Sequence, residues 1–162
     1  MLATALAAVT FPLHAQQAAC PAAVTAAVDS AWRLLRADST ARARPMFTRA
    51  LTACPTLPDA RVGLGFLVLR AGELTTADSL FRVTVAADAR NADAWEGIAT
   101  VAERRGQRDS AVAATRRVLQ IAPAYESARS RMLRLAPDDG RPPVNKAARR
   151  YASLNLLMRT HG

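Results

Sequence analysis

The chain has 162 residues, room for one ordinary domain or a short repeat array. Hydrophobic residues make up 51% and aromatics only 5%, with seven glycines, a composition that favours helices in close mutual contact. The net charge of +9 comes from arginine and a single lysine, Lys146, spread around the chain rather than gathered with aromatics, which speaks against nucleic acid as a partner.

Residues 2–13 form an apolar run, LATALAAVTFPL, that ends in Leu13-His14-Ala15 and turns polar at Gln16-Gln17. A dozen apolar residues are too few to span a bilayer and match the core of a secretory signal. Residues 1–15 are therefore read as a signal peptide and 16–23 as a linker, and the protein is expected to be exported, in a bacterial periplasm or associated with the membrane there. No Lys or Arg precedes the run, and a buried N-terminal helix is the alternative. Gln17 stands where a lipoprotein box before Cys20 wants an aliphatic residue, so Cys20 is not read as a lipid anchor.

From residue 24 the chain echoes itself every 34 residues. Asp38, Gly72 and Gly106 recur where a tight turn is needed; Ala43, Ala77 and Ala111 follow in step; Phe47 and Phe81 share a position; Pro55, Ala89 and Pro123 close each unit. A period of this size means stacked supersecondary units. The units are 24–57, 58–91 and 92–125, each a helical hairpin. The first helices are predicted at 24–37, 58–71 and 92–105, and the second at 40–53, 75–88 and 109–122. Ser39 or Thr40, Thr75 or Thr76, and Asp109 are the candidate side-chain caps of the second helices.

Size alternates inside each unit. Ala31, Gly65 and Ala99 face Ala43, Ala77 and Ala111, so the paired backbones can approach closely. Leu34, Val68, Leu64, Ile98, Phe47, Phe81, Leu51, Val85 and Leu119 recur at helical spacing around them. Pro45 is the discordant residue, since a proline inside a helix removes a hydrogen bond unless the helix bends or starts later.

The repeat also bears on the two cysteines. In an oxidising compartment a pair is expected. Cys20 precedes the first helix and Cys54 ends the second, points that an antiparallel hairpin brings to one end; the alternative is two unrelated buried thiols.

Beyond the third unit, residues 126–135 read as a capping first helix with Ala128, Met132 and Leu133, so that the repeat body spans 24–136. Residues 137–143, from Pro137 to Pro143, break the helix and act as a linker. Residues 144–162 suit a basic amphipathic helix, with Ala147, Tyr151, Leu154 and Met158 on one stripe. It could fold back on the body, meet a partner or contact an anionic membrane surface. The charge excess concentrates in residues 126–162, eight basic against three acidic.

This pattern resembles the tetratricopeptide repeat, a 34-residue unit with a large residue early, then Leu-Gly, an aromatic, Ala, an aromatic, Ala and Pro. Trp95, Ile98-Ala99, Gly106, Ala111 and Pro123 carry it in unit three. Leu64-Gly65, Gly72, Ala77 and Phe81 carry it in unit two, and Leu34, Ala43, Phe47, Ala50 and Pro55 in unit one. Unit one departs most, with Ala27, Ser30 and Pro45. The resemblance implies an all-α superhelical solenoid of antiparallel helix pairs. It also implies a concave groove lined by the first helices: Val28, Trp32, Leu35 and Arg36, then Val62, Phe66, Leu69 and Arg70, then Glu96, Thr100, Glu103 and Arg104. Such a groove begins apolar and ends charged. Val28 and Trp32 stand where the family's clamp for a C-terminal carboxylate would begin, so an apolar or amphipathic peptide is the expected ligand.

Chemistry finds little purchase here. The two histidines are His14 and His161, both outside the repeats, and two cysteines without histidine make no metal site of usual ligand count. No Gly-rich phosphate loop, nucleophile elbow or zinc motif occurs. Neither catalytic residues nor a metal or cofactor is expected. The function expected is a non-enzymatic scaffold that binds a protein or peptide in its groove. The alternative is a structural subunit of an envelope assembly, docked through its outer face and C-terminal helix. Self-association by end-to-end stacking is a variant of it.

Overall fold

The computed structural model describes residues 20–136. They fold as α1 (Ala22–Arg36), α2 (Thr40–Ala53), α3 (Pro58–Arg70), α4 (Leu74–Ala87), α5 (Ala92–Arg104), α6 (Arg108–Ile121) and α7 (Glu126–Leu135). Helices α1/α2, α3/α4 and α5/α6 pair as hairpins, and α7 packs on α6. The first helices α1, α3 and α5 also touch in succession, forming an inner layer behind which α2, α4 and α6 stand. This is the all-α solenoid expected. Helix α1 begins at Ala22, so the linker expected at 16–23 gives way to helix two residues early. The segments read as a signal peptide (1–15), a linker (137–143) and a C-terminal helix (144–162) lie outside the described residues.

The 34-residue echo has a backbone cause. Asp38, Gly72 and Gly106 all adopt positive φ, at 57°, 85° and 71°. Each ends its helix in the same paired turn: Gly72 N–H donates to Leu69 O and Glu73 N–H to Val68 O, with the same bonds one unit either side. Glycine is free of the Cβ penalty there, and aspartate is among the few residues that tolerate it.

That turn also corrects the expected caps. Thr40, Leu74 and Arg108 follow directly from the turn and start their helices, so the N-cap residues are Ser39, Glu73 and Gln107, none with a side-chain cap bond. Thr75, Thr76 and Asp109 therefore fall inside the first turn, past the cap position. The side-chain cap that does form is Asn91, whose Oδ1 accepts from the Ala94 N–H at 2.8 Å. Helix α2 runs through Pro45 without starting later. Pro45 and Ala41 both face solvent, so water can reach the carbonyl that the proline leaves unpaired.

Large and small residues interlock between units. Phe47 and Phe81 have no solvent exposure. A Cβ on Gly63 would lie 2.3 Å from the Phe47 ring, and one on Gly97 would lie 2.4 Å from the Phe81 ring. Each phenylalanine thus seats on a glycine of the next unit's first helix. Thr115 takes the phenylalanine position in unit three, and Arg131 of α7 the corresponding glycine position, so the last interface exchanges large for small. Cys20 and Cys54 are bridged, their Cα atoms 5.9 Å apart, closing the first hairpin at its open end.

Candidate functional site

The inner layer encloses a groove of about 790 Å³. Its floor is aromatic. Trp32 lies edge-on to Phe47 at 5.6 Å and to Phe66 at 6.0 Å, and Phe66 lies edge-on to Phe81 at 5.0 Å. The buried phenylalanines of the outer helices thereby support the two partly buried rings of the inner ones. Trp32 and Phe66 pack against both hydrophobic clusters of the body, so they close the seam between units one and two.

One rim is acidic and the other basic. Asp29, Asp59 and Asp93 line the side at which α3 and α5 begin, and Arg33, Arg36, Arg70 and Arg104 line the side at which α1, α3 and α5 end. Burial in the concave wall, then repulsion from Asp93 and Asp29, raises the Asp59 carboxyl above its ordinary value although the side chain keeps solvent contact. Tyr125 donates to Asp93 Oδ1 at 2.6 Å; burial, then that bond, pushes its phenol well up. Among the described residues no three His, Cys, Asp or Glu side chains converge as metal ligands.

The arginine rim is partly structural. Arg70 Nη1 donates to Leu35 O at 3.0 Å and to Asp38 Oδ1 at 2.8 Å, and Arg104 Nη1 donates to Leu69 O. Each reaches back to an end carbonyl of the preceding unit's first helix, adding a second donor to an oxygen that the turn N–H already engages. Arg36 has no such preceding unit, and among the described residues its side chain makes no hydrogen bond or ion pair.

The charged end of the groove is closed by α7. Arg131 Nη1 and Nη2 donate to Glu96 at 2.6 and 2.8 Å, Nε to Glu103 at 2.8 Å and Nη2 to Thr100 Oγ1 at 2.8 Å. Ser127 adds a bond to Glu96 and Arg134 one to Glu103. Burial pushes the Glu103 carboxyl up, but bonds from Arg134 and Arg131 outweigh it and hold the group below its ordinary value.

No family model matches the chain, and no curated protein does. Solved structures do. An Arabidopsis OM64 TPR domain superposes with a TM-score of 0.64 at 16% identity, over 72% of this chain and 96% of that one. The first TPR of Spaghetti (RPAP3), bound to the HSP90 peptide SRMEEVD, gives 0.64 at 15%, over 70% and 93%. YrrB, described as a TPR protein with an unusual peptide-binding site, gives 0.58 at 20%, over 66% and 55%. The chain has a tetratricopeptide-repeat fold.

Within this TPR solenoid, the residues expected in the groove divide into three groups. Trp32, Leu35, Arg36, Val62, Phe66, Leu69, Arg70, Thr100 and Arg104 line it. Val28 does not line it, and Leu35, Val62 and Leu69, as buried as Val28, meet the groove only at its base. Glu96 and Glu103 are engaged by α7. Sequence reasoning missed the acidic rim and Tyr125. Asp59 and Asp93 stand exactly one period apart, a signal in plain view. Near helix starts they look like ordinary dipole partners, and only the packed TPR units turn them toward one hollow with Asp29.

Proposed function

We propose that this chain is a non-enzymatic protein-interaction module that takes an apolar or amphipathic peptide segment in the concave groove of its first two units. The observation that carries this reading is the pair Trp32 and Phe66, partly buried side by side at the base of the groove. Aromatic anchors in a preformed hollow are the usual core of a peptide site. The TPR neighbours described as peptide-bound or peptide-binding support the same use of the fold. A clamp for a C-terminal carboxylate is disfavoured, because Trp32 supplies apolar surface, and Val28 lies buried, where such a clamp needs donors. Export to a bacterial envelope belongs to the proposal and rests on the apolar run at 2–13.

The test is partner recovery. Trp32→Ala/Phe66→Ala, expressed in the native host, should lose co-purifying protein while keeping its helical circular dichroism. Unchanged recovery with intact helicity would remove the groove from the function.

A further inference from the structure

We propose that the groove's occupant at rest is this chain's own segment 144–162, its cations set against the Asp29–Asp59–Asp93 rim. The proposal rests on the reading of the groove as a peptide site. The arginines line the opposite rim, and among the described residues the acidic rim itself has no cationic partner. Asp29 and Asp59 make no ion pair among the described residues, and Asp93 accepts only from Tyr125. Asp59 feels both neighbours as repulsion. Segment 144–162 is the complement: Lys146, Arg149, Arg150 and Arg159 with no carboxylate side chain, and Tyr151, Leu154 and Met158 at the spacing of one helical face.

The exit point of the chain fits. Contacts of Asp93 with Tyr125, Glu96 with Arg131 and Glu103 with Arg134 rise together in number, so α7 runs parallel to α5. It ends at the turn between α5 and α6, the end of the groove that carries Arg104, where Arg108 Nε donates to Leu135 O at 2.9 Å. Crossing from Arg104 to Asp93 is eleven helical residues, about 16 Å at a rise of roughly 1.5 Å each. The ten residues from Ala136 to Lys146 can span about 33 Å when extended. Along the chain Asp138, Asp139 and Arg141 come first, and Lys146, Arg149 and Arg150 follow, far enough from Ala136 to reach the aspartate rim. A tether this short holds its end at roughly millimolar effective concentration, so an outside partner must displace it.

Lys146 is the chain's single lysine, which makes the test direct. The full-length protein, dilute and at low salt, is treated with a zero-length carbodiimide, and the monomer band is digested and sequenced by mass spectrometry. Lys146 should be joined to Asp29, Asp59 or Asp93, independently of protein concentration. Arg149→Glu/Arg150→Glu, which leaves the repeat body untouched, should cut those links at least fivefold. Lys146 joined only to Glu126, Asp138 or Asp139, or to nothing, overturns the proposal; links confined to a dimer band assign the groove to a second copy and overturn it as well. If these links are absent while Trp32→Ala/Phe66→Ala still abolishes partner recovery, the peptide site stands and its resting occupant is not the tail.

Discussion

Arg131 of α7 grips Glu96 of α5 with two bonds, at 2.6 and 2.8 Å, and both residues are 6% exposed. The pair replaces, at the last interface, the phenylalanine-on-glycine contact that joins the earlier units. Its geometry is complete: Ser127, Thr100 and Glu103 satisfy the remaining atoms, and no described buried side-chain polar atom lacks a partner. Two charges taken out of water are tolerable only when paired this fully. Arg131→Ala should therefore destabilise the body by about 3–5 kcal/mol, the usual cost of leaving one partner charged and buried. Glu96→Gln/Arg131→Met should recover most of that loss. Urea unfolding of the three proteins checks both expectations.

Acid should loosen α7. Glu103 is held below its ordinary value of 4.5 in the folded state by Arg134 and Arg131, against burial. A carboxyl lowered in this way contributes stability that is present above its unfolded value and is lost as pH falls through the lower folded one. Unfolding midpoints should thus drop more steeply below about pH 4.5 in the native protein than in Glu103→Gln, a comparison set by that linkage. Hydrogen exchange of the α7 amides should show the same difference locally.

Glycine at position 97 serves packing rather than backbone freedom. Alanine is the better helix former by roughly 0.5–1 kcal/mol. Its Cβ would nevertheless sit 2.4 Å from the Phe81 ring, which is itself fully enclosed. Gly97→Ala should cost about 1–3 kcal/mol from overpacking. Phe81→Leu in the same chain should relieve part of it, so that the two changes are non-additive in thermal unfolding.

Reduction should weaken the first hairpin. The Cys20–Cys54 bridge closes a separation of 34 residues. Loop-closure entropy assigns such a bridge about 4 kcal/mol, acting mostly on the unfolded chain. Dithiothreitol should lower the unfolding midpoint of the native protein and leave Cys20→Ser/Cys54→Ser unmoved.

Much of the fold was legible because a solenoid is nearly one-dimensional. Each unit contacts its neighbours in sequence, so a period of 34 carries the stacking, the turns at Asp38, Gly72 and Gly106, and the helix limits to within two residues. The small residue at Gly65 did mark a close contact, although what it meets is the Phe81 ring. The cap positions were not legible. Which residue precedes a helix depends on the turn that delivers the chain, and the paired turn moved each start past the threonines and Asp109.

The sequence by itself determined the architecture: helical hairpins in a fixed phase, a capping helix, and an aromatic pair, Trp32 and Phe66, on one inner face. Tertiary structure decided how the charges are spent. Glu96 and Glu103 belong to α7 and Arg70 to a helix end, while Asp29, Asp59 and Asp93 face one hollow. Apolar periodicity is local and survives in a linear reading. Pairing of charges depends on side chains some thirty residues apart meeting in a common, partly dry space, and only the packed units bring them there.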